Sequence, residues 1–221
     1  MTRLIRGNAV TVSKHVKPVQ RTKVAYVRRG IEPVEIRRFD PERDSFDELT
    51  DMLHRAFARL GAMGLDCTCV DQSVSVTQSR AMRGDCHVAV SGGSLVGTMT
   101  LEAPDRASQC ELYRRDDVAS VRQIGIDPAW QKRGIGTLML ALADHWAATR
   151  GYAELALDTP HAAAHLIAFY RSQGFRIADC MQFDGKRYES AILCKPAVAS
   201  RALATWSRRI ALPRNTIAHA A

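Results

Sequence analysis

The chain has no apolar run long enough to cross a bilayer, no Cys-x-x-Cys pair and no acidic residue at either end. Each absence excludes a class of protein. A membrane-spanning helix needs roughly 18 or more consecutive apolar residues, whereas the longest obvious candidate here runs from Leu138 to Ala143. The N-terminal stretch likewise holds no apolar segment of secretory-signal length. Cys67, Cys69, Cys86, Cys110, Cys180 and Cys194 form no small-domain disulfide framework, so reduced thiols in the cytoplasm are expected. Cys67-Thr68-Cys69 has His87 nearby in sequence, yet a structural zinc site needs a full ligand set at recognisable spacings, so no metal is expected.

A formal charge of +8 suggests a nucleic-acid partner until it is divided along the chain. Residues 1–30 hold eight Lys/Arg and residues 196–221 hold four, which leaves 19 basic against 23 acidic residues in the middle. The basicity lives in the tails. The N-terminal one reads as a flexible basic extension, a targeting segment or a start-site artefact. In the C-terminal one, Leu203, Trp206 and Ile210 fall at helical spacing among arginines, an amphipathic pattern. Between them, residues 31–195 suit one domain, and a 46% hydrophobic content permits a substantial core.

Hydrophobic periodicity orders the elements of that domain. Val34 to Phe39 reads as a strand, and Phe46, Leu49, Met52, Leu53, Ala56, Phe57 and Leu60 recur at helical spacing until Gly61. Residues 62–80 are irregular and end in a short helix through Met82. Cys86 to Val90 and Leu95 to Leu101 flank Ser91-Gly92-Gly93-Ser94, a hairpin signal. After a loop at 103–117, Ala119 to Ile126 is a strand closed by Asp127-Pro128. Ile135, Leu138, Leu142 and Trp146 then stripe a helix that ends before Gly151. Tyr152 to Asp158 is a strand, His161 to Gln173 a helix capped by Gly174, and Phe175 to Ile177 and Tyr188 to Leu193 are final strands. The order predicts a mixed α/β sheet with helices on both faces.

The most informative segment is Gln131-Lys132-Arg133-Gly134-Ile135-Gly136, between a strand and a helix. Two glycines let backbone N–H groups approach an anion, the helix start aims free amides at the same place, and Lys132 and Arg133 add positive charge. A phosphorylated ligand is expected there. The spacing is neither the dinucleotide fingerprint nor the Walker loop, because no third glycine and no Gly-Lys-Ser/Thr follow. A second segment, Leu166 to Phe175, sets Tyr170 one turn before the helix-ending Gly174.

Together with Asp127-Pro128, these two segments resemble the GNAT superfamily of acyl-CoA N-acyltransferases, in order and separation. The likeness spans about 31–195 in outline and 121–177 at motif level. It implies a centrally splayed sheet and acyl transfer, usually of acetyl, from coenzyme A directly to an amine, with acetyl-CoA as co-substrate. By matching position, the backbone of Ile124, Gly125 and Ile126 would bond the pantetheine and thioester oxygen. Gln131, Lys132, Arg133, Gly134, Ile135, Gly136 and Thr137 would hold the pyrophosphate, and Tyr170 would protonate the departing thiolate.

Two positions depart from the family pattern. Ser120 stands where relatives often carry a glutamate base, which leaves Glu102, Glu111, Asp158, Glu189 or a water ordered by Ser120 for that role. Ala163 replaces an asparagine that touches pantetheine, with His161 and His165 beside it. Acceptor specificity is expected from residues 61–80, 111–117 and 181–189, where Asp66, Asp71, Asp116 and Asp117 are candidates for attracting a cationic amine. The acceptor itself, a small molecule or a protein amino group, is left open, as is a homodimer. The rival reading is a GNAT-fold binding or regulatory protein whose basic tails contact nucleic acid or anionic membrane.

Overall fold

The computed structural model describes residues 33–199 and the backbone of residues 24–26. The remainder of the basic extension and the segment with Leu203, Trp206 and Ile210 lie outside the described residues, as do the tail contacts considered for them. Among the described residues, no helix is long and apolar enough to cross a membrane.

Eight strands make one sheet: β1 (Val24–Tyr26), β2 (Val34–Arg38), β3 (Asp85–Ser91), β4 (Ser94–Glu102), β5 (Val118–Ile126), β6 (Glu154–Pro160), β7 (Arg176–Met181) and β8 (Ser190–Pro196). Their spatial order is β1-β2-β3-β4-β5-β6-β8-β7. Only β5 and β6 run parallel; every other neighbouring pair is antiparallel. The β3–β4 hairpin turns on Gly92 and Gly93 with φ of 56° and 87°, the double left-handed conformation that tight hairpins favour and side chains resist.

Strand alternation sends successive residues to opposite faces. Cys86 and Val88 of β3 pack on one face with Leu49, Met52 and Leu53 of helix α1 (Phe46–Ala62). Ala89, Val96, Met99 and Leu101 join Met139, Leu140 and Ala143 of helix α4 (Ile135–Thr149) on the other. Between these helices in sequence come α2 (Val74–Ala81) and α3 (Glu111–Arg114), and α5 (Ala164–Ser172) follows β6. The mixed sheet covered on both faces is therefore observed.

Several boundaries differ from the sequence reading. α1 passes through Gly61 and ends at Ala62, and the left-handed cap falls on Gly64 (φ 76°) with Leu65 N–H donating to Leu60 O at 3.0 Å. Gly61 answers to packing, since a Cβ there would stand 2.8 Å from Val70 Cγ1. α5 begins at Ala164 rather than His161, because His161 N–H is taken by Glu189 O (2.8 Å) and residues up to Ala163 form a turn. The 103–117 loop contains α3, which buries Tyr113. β1 lies in the stretch read as having no element; three residues are too short to show an alternation.

The sheet opens at its centre. β5 and β6 pair only through Val118↔Glu154, Ala119↔Leu155 and Ser120↔Ala156. Past that point β5 stays with β4 as far as Ile126 while β6 stays with β8 as far as Pro160, so the two strands part. β5 also carries one extra residue opposite Met99, with Gln123 at φ 48°.

Candidate active site

The parting of β5 and β6 opens a cavity of about 840 Å³. Its walls are Val121 to Ile126, Asp158 to Pro160, the start of α4, part of α5, the middle of α1, the 67–69 turn and residues of the 183–190 turn. Among the described residues, two non-glycine residues hold left-handed backbone, Gln123 and Lys132 (φ 58°), and both line this cavity. Such conformations cost about 1–2 kcal/mol each for an ordinary residue, and they tend to cluster at working sites.

At one end stands the glycine loop. Asp127 Oδ1 accepts from Ala129 N–H at 3.0 Å and its Oδ2 from Arg55 Nε at 2.8 Å, which fixes the exit from β5. Gln131 Nε2 donates to Ile126 O at 3.0 Å and ties the loop back to the strand. Gly134, at φ 89°, is the N-cap of α4, and no side chain caps the helix. The first-turn amides of α4 therefore face the cavity as an anion site with partial positive charge.

Of the residues assigned to the cofactor from sequence, Ile124, Gly125, Ile126, Gln131, Lys132, Gly134, Ile135, Gly136 and Thr137 border the cavity. Arg133 does not; its guanidinium lies over the Trp130 ring, 4.7 Å from the centroid. Gly125 and Gly136 differ in what they make room for. Gly125 makes room for α1, since a Cβ there would come within 3.2 Å of Phe57 and Ala56 atoms. Gly136 has ordinary helical backbone, and a Cβ there would make only van der Waals contact, 3.4 Å from Phe169 Cζ. Neither packing nor φ calls for a glycine there.

Tyr170 is brought to the same cavity by α5, buried with its ring against Phe169 and Phe175 at centroid distances of 5.4 and 6.0 Å. Burial, reinforced by the negative charge of Asp158, pushes its phenol well above the ordinary tyrosine range, so it stays protonated at neutral pH. Asp158 Oδ1 accepts from Tyr113 Oη at 2.9 Å and from Arg122 Nη1 at 2.5 Å, and the Arg122 guanidinium covers the Tyr113 ring at 3.8 Å.

Among the base candidates, Asp158 alone lines the cavity. Ser120 is buried in the paired part of β5, Glu102 is buried away from the cavity wall, Glu111 sits on α3, and Glu189 is exposed beside His161 at 3.1 Å. His161 also stays off the cavity, in an exposed group with Cys180 and Glu189 whose ligand atoms lie within 4.8 Å of one another. His165 does border it, and burial together with Arg59 lowers its pKa, which keeps the imidazole neutral at pH 7. Ala163 is fully buried among Leu60, Leu65 and Cys67 and supplies no cavity wall.

The other end lies largely in the 61–80 and 181–189 segments marked from sequence, through contacts that no motif announced. Lys186 Nζ donates to Asp66 O (2.6 Å) and Thr68 Oγ1 (3.2 Å), and Tyr188 Oη to Cys67 Sγ (3.5 Å), clamping the 66–70 turn to the 182–189 turn. Gln72 Nε2 bonds Thr77 Oγ1 at 2.7 Å and Gln123 Oε1 at 3.1 Å, bracing the bulge of β5. Only Arg122-Gln123 left a trace in the sequence, as two adjacent polar residues that break the alternation of an otherwise apolar strand. None of the four acids proposed to attract a cationic amine, Asp66, Asp71, Asp116 and Asp117, stands on the cavity wall, and three are paired: Asp66 with Arg187, Asp116 with Arg106 and Asp117 with Arg115.

The family profile of the acetyltransferase (GNAT) family matches residues 49–175, more than half of the chain. The chain belongs to the GNAT family. No curated protein sequence matches it. Its fold is similar to that of the ribosomal-protein-S18-alanine N-acetyltransferase from Escherichia coli, at 18% identity and a TM-score of 0.56 over 76% of this chain and 96% of that one. Ard1 from Thermoplasma volcanium gives 14% identity and a TM-score of 0.57 over 75% of this chain and 98% of its own. A GNAT family acetyltransferase from Elizabethkingia anophelis with acetyl-CoA bound gives 16% and 0.53 over 74% and 97%. At these identities the likeness is one of fold, and acyl transfer from coenzyme A is the chemistry of the GNAT family as a whole.

Proposed function

We propose that this GNAT protein moves an acetyl group from acetyl-CoA directly to an amine, without an acyl-enzyme. The observation that carries the reading is the parting of β5 from β6, which lets the glycine loop and Tyr170 open onto one cavity. The backbone from Gln131 to Thr137 and the side chain of Lys132 receive the pyrophosphate. The freed edge of β5 at Ile124, Gly125 and Ile126 receives the pantetheine arm, and a backbone N–H there steadies the carbonyl oxygen as it gains charge. One fixed donor in a dry site is typically worth about 3–4 kcal/mol to such a step.

Attack requires a neutral amine, so a group on the cavity wall must take a proton. Cys67, Cys69 and Tyr188 are held protonated, each chiefly by burial, which leaves Asp158 and neutral His165 as acceptors at neutral pH. Tyr170, protonated and buried, donates to the sulfur as the carbon–sulfur bond breaks. The six free thiols suit a reducing compartment such as the cytoplasm. A screen of amines, amino acids, polyamines and peptides for acetylated product tests the reading, with mass spectrometry as readout because those thiols would react with a dye. Acetylation of at least one class is expected; acetyl-CoA left intact with every class would defeat the proposal.

A further inference from the structure

The wall of the cavity farthest along β5 from the glycine loop is cationic, and this bears on the acceptor. Arg80 Nη1 donates to Gln72 Oε1 at 2.6 Å and to Cys69 Sγ at 3.2 Å. Lys186 Nζ donates to a backbone carbonyl and a hydroxyl. All four acceptors are uncharged, so both cations are oriented but not neutralised. Each is half-buried, and each lines the cavity. Their partners Cys69 and Thr68 are adjacent in the chain, which sets the two cations along the same stretch of the wall.

Carboxylates do not balance them. Among the described residues, Asp158 is the one carboxylate on the cavity wall, and Arg122 already holds it. Glu102 is buried off the wall, where burial raises its pKa against the pull of Arg122, Arg83 and Arg80. A polyamine or aminoglycoside entering here would meet like charge, whereas an anion would gain charge-assisted bonds in a partly dry site.

We propose that the acceptor is a small amine bearing an anionic group, a carboxylate or a phosphate, which Arg80 and Lys186 receive while the amine nitrogen points toward Asp158 and Tyr170. This rests on the acyl-transfer reading and narrows it. The 66–70 and 182–189 turns then have a purpose in common: their mutual clamp holds Lys186 at the wall.

The test uses the full chain with matched acceptors: an amino acid against its amide, phosphoethanolamine against ethanolamine, and spermidine as the cationic arm. Rates are compared per free-base amine, by mass spectrometry. In one pair at least, the anionic member should show kcat/KM tenfold or more above its neutral partner, with spermidine lowest; which pair responds identifies carboxylate or phosphate. Lys186→Met should raise KM for the anionic amine about 10-fold or more, as loss of one charge-assisted bond implies, and narrow the anionic-to-neutral ratio while the acetyl-CoA Kd holds. Arg80→Met is the second variant, with the same expected narrowing. Neutral or cationic acceptors preferred, no anionic amine turned over, or a ratio unmoved by both variants overturns the inference. Calorimetry of acetyl-CoA with the same protein separates the two levels: failure to bind sinks the acyl-transfer reading, while binding with a cationic preference sinks only this one.

Discussion

At the end of the cavity proposed for the cofactor the wall comes from one short segment, residues of Gln131 to Thr137 apart from Arg133, whereas at the end proposed for the acceptor it is side chains from α2, β5, β6 and the 182–189 turn. A backbone cradle needs particular residues at fixed spacing: glycine where φ is positive, as at Gly134, and glycine where a Cβ would intrude on a ligand, the part proposed for Gly136. It therefore writes itself into the sequence as a motif. A wall of side chains needs only that Arg80, Arg122 and Lys186 end up near one another, and the sequence separations between them leave no pattern to read. In the proposed function the chemistry that the family shares is held by the first device, and the choice of substrate by the second.

Experiments can press on this contrast in order of expected effect. Tyr170 lies where the two ends meet, and Tyr170→Phe keeps the ring against Phe169 and Phe175 while removing the hydroxyl. We expect kcat to fall about 10²-fold, the low end for a lost general acid because a thiolate leaves readily, with acetyl-CoA binding retained. Turnover at the original rate, with chemistry limiting, would assign Tyr170 to packing alone.

Gly136→Ala addresses the cofactor end by itself. The added Cβ meets only van der Waals contact inside the protein, so the unfolding midpoint should hold or rise, by at most about 1 kcal/mol of helix propensity. The acetyl-CoA Kd should nonetheless weaken about 10-fold, or about 1.4 kcal/mol. Unchanged affinity in calorimetry would mean that the helix start does not seat the pyrophosphate.

Removing residues 1–30 touches neither end. The truncation deletes β1 and leaves the β2 edge without its three-residue partner, for which a loss of about 1 kcal/mol, or roughly 2–4 °C in Tm, is reasonable. Acetyl-CoA affinity should stay within twofold. A larger loss of affinity would tie the extension to the site and break the contrast from outside it.

What was legible in the sequence follows the same physics. The strand–glycine loop–helix order, the hairpin at Gly92-Gly93 and the cover of the sheet by helices on both faces rest on local rules of backbone and periodicity, and the structure displays each of them. Gly61 and Gly64 show where local rules compete. The sequence offers two glycines for one helix end, and only the packing of Val70 against Gly61 decides which is the cap. Arg133 stacks on Trp130, a contact between neighbours that charge counting cannot separate from phosphate binding. Asp66 reads as free charge because its partner Arg187 comes from 121 residues away, whereas Asp117 pairs with Arg115 only two residues before it.

The central claim is that one cavity, opened by the parting of β5 and β6, binds acetyl-CoA through the Gln131–Thr137 backbone. Isothermal calorimetry of acetyl-CoA with the intact chain tests it most directly. The account predicts saturable binding of one molecule per chain in the micromolar range; no detectable heat of binding at millimolar acetyl-CoA would contradict it.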